Sequence, residues 1–144
     1  MTVNATRPSS ESLETRRLLP LALGGGAIGA VINALILLIA SALIGGAVQI
    51  ATPPANAVMD LPLVAVILAS LLPAFVAAGV LWGLGRFTSA PVRIFQILGA
   101  TIAVLSLFSP FTLPVSLGSK ITLAIMHLVA AASIVLALSR AKRA

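Results

Sequence analysis

Four long apolar runs, separated by short polar connections, organise the chain. They extend approximately from Leu18 to Ile44, Leu61 to Gly85, Ile94 to Leu113 and Ile121 to Ser139. Each holds about 20 residues or more, enough at a helical rise of about 1.5 Å per residue to cross a hydrocarbon core of about 30 Å. The pattern predicts a four-transmembrane-helix domain over 18–139, with spans of about 18–44, 61–85, 94–113 and 121–139. Before it, residues 1–17 are polar and include Pro8, Glu11, Glu14, Arg16 and Arg17; they read as a disordered cytoplasmic tail. Residues 140–144 form a short basic tail. A basic start followed by an apolar run also resembles a secretory signal, with Ala40-Ser41-Ala42 as a cleavage site. The apolar region of such a signal is about 7–15 residues long, so the much longer first run is expected to be retained.

Composition fixes the solvent. The 144-residue chain is 60% hydrophobic and 8% charged, with a mean hydropathy of +1.17, whereas a soluble domain carries roughly a quarter charged residues. The expected fold is therefore all-α, an integral membrane four-helix bundle. The absence of Cys removes disulfides, thiolate metal sites, iron–sulfur clusters and thiol redox chemistry together. Aromatic residues reach 4% and Tyr is absent, so the chain lacks the stacking platforms that hold bases.

The net charge of +6 is arranged as a topology signal and not as a nucleic-acid face. Arg7, Arg16 and Arg17 precede the first run, Arg86 and Arg93 bracket the connection between the second and third, and Arg140, Lys142 and Arg143 follow the fourth. Lys120 alone lies on the other side, with Asp60. Because Lys and Arg in short flanks resist translocation, both termini are expected in the cytoplasm. These cations are also expected to attract anionic lipids at the cytoplasmic face, at about 1 kcal/mol each near the surface. On the outer side, Asp60 before Leu61 and Pro62 reads as the N-cap of the second helix, and Ser119 as that of the fourth.

Gly24, Gly26 and Gly29 match G-x-G-x-x-G, but no strand precedes them and no acidic residue follows at about 20 positions to hold a ribose, so a dinucleotide site is not expected. Gly25, Gly26, Gly29 and Ala30 instead form a small-residue ridge, repeated by Gly79 and Gly83 on the second helix, where a neighbouring backbone approaches closely. Such ridges serve packing within one chain or against a second copy or another membrane protein.

Polar residues inside the runs carry the candidate site, because each is costly in hydrocarbon unless it faces protein or water. Asn33, Ser106 and His127 lie on small-residue faces in the outer halves of their helices, with Ser70 and Thr101 near the midplane and Gln96 in another layer. His127 lies about 10 Å below Lys120 by helical rise. The three predict either an interhelical hydrogen-bond clasp around a neutral His127 or a ligand-binding pocket in which His127 accepts a proton or a ligand. One His supplies no zinc site, and it holds haem only across a dimer interface. No Asp, Glu, Lys or Arg lies within any run, which removes the carboxylate relay of many proton-coupled pumps. No G-x-S-x-G or H-E-x-x-H motif is present, and neither enzyme activity nor a cofactor is expected.

The chain resembles a family of small four-helix bacterial membrane proteins catalogued as domain of unknown function 6069. The likeness runs from Arg16 to Arg140 and rests on Asn33-Ala34, Leu72-Pro73, Ser106 with Pro110, and Lys120 through Met126-His127-Leu128. It implies the bundle and a bacterial inner membrane, and no catalytic role. The expectation is a non-enzymatic structural or accessory membrane subunit, alone or as a homo-oligomer; the alternative is a small transporter or ligand-binding protein with an outer-half polar pocket at His127.

Overall fold

The computed structural model of the protein describes residues 11–52 and 57–142. Among these, four helical segments are long and apolar enough to cross a membrane. They are α1 (Leu18–Ile44), α2 (Leu63–Phe87), a broken third segment of α3 (Pro91–Ser106) and α4 (Phe108–Thr112), and α5 (Leu117–Leu138). Between α1 and α2 lies an antiparallel hairpin of β1 (Gln49–Thr52) and β2 (Ala57–Asp60), pairing Gln49 with Asp60 and Thr52 with Ala57.

Helix ends follow local chemistry. Gly45 closes α1 in the left-handed conformation, φ 72°, with its N–H on the Ser41 carbonyl, the usual glycine solution for a helix C-terminus. Pro91 opens α3 at a position where its missing N–H costs nothing. The third segment breaks at Leu107 because Pro110 cannot donate to the carbonyl of Ser106, four residues earlier. Two expected caps are corrected. Asp60 is the last residue of β2, and the residue before α2 is Pro62. Ser116 caps α5, its hydroxyl oxygen accepting from the Ser119 N–H at 3.2 Å. Ser119 is fully buried and accepts instead from the Gln49 N–H at 3.0 Å, fastening the hairpin to α5.

The helices run antiparallel to their neighbours, so both described ends of the chain and the α2–α3 connection meet at one pole, here the terminal end; the hairpin marks the other. α1 lies between α2 and α5. At the terminal end, Leu18, Ala22, Ala78, Leu81, Val92, Phe95, Ile134 and Leu138 form one apolar cluster; nearer the hairpin, Leu37, Val48, Val66 and Met126 form another. α3 enters only the first cluster, since its buried residues are Pro91, Val92 and Phe95.

The tail expected over residues 1–17 is described only from residue 11 onward. Residues 1–10 lie outside the described residues, but Thr15–Arg17 is a 3₁₀ turn leading into α1 and Leu13 forms a β-bridge with Lys142. The basic tail is likewise tied down: Ser139–Ala141 continues α5 as a 3₁₀ turn, and the Glu14 N–H donates to the Ala141 carbonyl at 2.8 Å.

Candidate functional site

The glycines of α1 set the helix spacing. Gly25, Gly26, Gly29 and Ala30 are all buried. A Cβ on Gly25 would lie 2.7 Å from that of Ala137 and 3.0 Å from the Ser133 carbonyl oxygen, and one on Gly29 would lie 2.7 Å from Ser133 Oγ, all on α5. Gly26 faces the other neighbour, where a Cβ would lie 3.1 Å from Ala74 Cβ on α2. Consecutive residues thus serve two interfaces, and the ridge packs within the chain. The second ridge differs from expectation: a Cβ added at Gly79 or Gly83 would meet nothing within 4 Å.

Asn33, seven residues beyond Gly26, is 3% exposed. Its Nδ2 donates to Ser70 Oγ on α2 at 3.3 Å and to the Met126 carbonyl on α5 at 3.1 Å. Ser70 in turn donates to the Val66 carbonyl at 2.9 Å. One amide therefore joins three helices through a closed set of donors. Its Oδ1 has no partner among the described residues.

His127 and Ser106 do not join this clasp. His127 Nδ1 lies 2.8 Å from the Leu123 carbonyl of its own helix, and the Ser106 hydroxyl donates to the Ala103 carbonyl at 2.7 Å. The expected trio shares a depth but not a face. Met126 and His127 are adjacent, and Gly99 of α3 lies against Val135 of α5; counting seven residues onward from Gly99 and seven back from Val135 brings Ser106 level with Leu128. At that level the Met126 carbonyl turns to α1, while the His127 side chain projects elsewhere. A carbonyl can only accept, so Nδ1 carries a proton, and in the neutral tautomer this contact selects Nε2 is the lone-pair acceptor. The physical reason the trio separates is that each hydroxyl or imidazole finds a carbonyl one helical turn away, a bond that costs no helix rearrangement.

The remaining polar groups behave similarly. Thr101 donates to Ile97, Thr122 to Gly118 and Ser133 to Val129, all on their own helices, whereas Gln96 reaches Ser139 at 3.1 Å near the terminal end.

A second polar centre, absent from the sequence expectations, lies at the terminal end. One Glu11 carboxylate oxygen accepts from Lys142 Nζ at 2.8 Å and the other from the Val92 N–H at the start of α3 at 3.1 Å, while the Glu11 N–H donates to the Ser89 carbonyl at 2.9 Å. The Lys142 hydrogen bond and charge, helped by the backbone N–H groups of Val92 and Arg93, hold the carboxyl below its ordinary range against an opposing effect of partial burial. Leu13 packs onto Gly85 of α2. Residues 11–14 thus strap together α2, α3 and the end of α5. The only sequence hint is an acidic residue before a basic pair, because the partners lie 81 and 131 residues away.

The model of the Family of unknown function (DUF6069) matches residues 13–144, and the chain belongs to that family. No curated protein and no solved structure matches it.

Proposed function

We propose that this family member is a multi-pass protein of the bacterial plasma membrane, with both termini in the cytoplasm, that works by binding and not by catalysis, as a structural or accessory subunit. The observation that carries this reading is how the bundle uses its intramembrane polar groups. Asn33 and Ser70 bind helices together, and Thr101, Ser106, Thr122 and Ser133 return their protons to nearby carbonyls. These are structural bonds. Orientation is supported by the cations: among the described residues Arg16, Arg17, Arg86, Arg93, Arg140 and Lys142 lie at the terminal end, and Lys120 at the hairpin end. The same basic end suits the anionic lipids of an inner leaflet.

Formaldehyde cross-linking in native membranes tests the subunit role. A discrete adduct containing a second copy or another membrane protein is the expected product; monomer alone at native expression contradicts it. A second reading, binding of a small ligand, is favoured by one observation: His127 is exposed in mid-helix while keeping an unused acceptor.

A further inference from the structure

We propose that the wedge between α3 and α5, in the hairpin half of the bundle, binds a membrane-dissolved molecule bearing a hydroxyl group, which donates to His127 Nε2. This rests on the bilayer placement proposed above and extends it to a ligand class.

The shape comes from α3. Every buried residue of this helix lies within its first five positions, and beyond Phe95 its inward face carries Gly99, Ala103 and Ser106, all half-buried. The facing stretch of α5 offers Ala124 and Ala131, also half-buried. α3 still touches α5 at Gly99, which lies against Val135; from there to its end at Ser106 it buries no residue, whereas the terminal half is closed by Val92 and Phe95. His127 registers the opening. It lies at spacings of four, seven and eleven residues from Leu123, Ile134 and Leu138, which places all four on one stripe of α5. Those three are 6%, 5% and 0% exposed, yet His127 is exposed. The stripe that elsewhere faces the interior here meets a gap.

The chemistry of the gap is one-sided. Nδ1–H is committed to Leu123, so Nε2 accepts; the Ser106 proton is committed to Ala103, so its oxygen accepts. Hydrocarbon supplies no donor, and polar groups at this depth are paired or functional. A second copy of the chain would bring acceptors against acceptors through these residues. A lipophilic alcohol, phenol or hydroquinone brings the missing proton on an apolar body that suits Ala103, Ala124 and Ala131.

His127 is the chain's single His, so its ring nitrogens are directly assignable. In full-length protein labelled with 15N-histidine and reconstituted in lipid nanodiscs, decylhydroquinone is expected to move the Nε2 resonance upfield, saturably, while its dimethyl ether leaves it in place. Ala131→Leu, which fills the wedge and keeps the ring, is expected to weaken the response at least tenfold. An absent or non-saturating shift, an equal shift with the ether, or an undiminished response in Ala131→Leu overturns the proposal. An Nε2 already hydrogen-bonded before addition, in discs holding two copies, assigns the donor to a second chain and overturns it too. Ring signals broadened by a water-soluble gadolinium chelate instead show that His127 meets bulk water; that result refutes the bilayer placement itself, and the ligand site with it.

Discussion

Adjacent glycines on α1 carry opposite consequences for the same added methyl group. At Gly25 a Cβ meets Ala137 Cβ and the Ser133 backbone oxygen, neither of which swings aside, whereas at Gly24 there is nothing within 4 Å. Gly25→Ala is therefore expected to destabilise the bundle by about 1–3 kcal/mol, the usual cost of overpacking. Gly24→Ala is expected to be neutral or to stabilise by up to about 1 kcal/mol through helix propensity. Unfolding in mixed detergent micelles, followed by circular dichroism, separates the two. Asn33 makes a second residue-scale case. Its amide is held by Ser70 and Met126 on two other helices, so Asn33→Ala is expected to cost roughly 0.6–2 kcal/mol by the same assay, in line with other intramembrane hydrogen bonds. Ser106→Ala, which removes a bond within one helix, is expected to cost less; a larger loss at Ser106 than at Asn33 would reverse the assignment of the clasp.

At the scale of elements, the strap of residues 11–14 has a definite pH signature. Lys142 lowers the Glu11 pKa in the folded chain, so the carboxylate contributes to the clasp above its unfolded value and that contribution disappears as pH falls through the lower folded value. With an ordinary Glu value of about 4.3, the clasp should be intact at neutrality and open under more acidic conditions. Spin labels at positions 12 and 89 report it: a narrow distance distribution at about pH 7, broadened by acid and, at neutrality, by Glu11→Gln. No change in either case would remove Glu11 from the clasp. The strap was illegible in the sequence because its bonds are long-range and half of them are backbone bonds, which leave no residue signature. The start and end of α1 were legible, since a 27-residue apolar run bounded by Arg17 and Gly45 marks both ends. The hairpin was hidden by its length, four residues per strand, and by Asp60, whose position before a proline imitates a cap. For the polar layer, helical rise gave the common depth of Asn33, Ser106 and His127; it gave no facing direction, which depends on how α1, α3 and α5 pack around one another.

For the molecule as a whole, the apolar exterior is the property that supports the proposed bilayer placement. Leu19, Leu38, Leu43, Val76 and Leu136 are each at least 64% exposed, a surface that water does not tolerate on a monomer. The two poles differ in charge, which is the basis of the proposed orientation. The chain's natural lack of Cys allows single cysteines to be placed at Ser12 and Ser89 at the terminal end, at Met59 in the hairpin and at Leu38 on the exposed apolar side of α1. Labelling intact cells with a membrane-impermeant maleimide, then repeating after permeabilisation, tests the oriented membrane bundle most directly. The account predicts modification of position 59 in intact cells, of 12 and 89 only after permeabilisation, and of 38 in neither; labelling of 12 and 89 in intact cells, or of 38 under either condition, would contradict it.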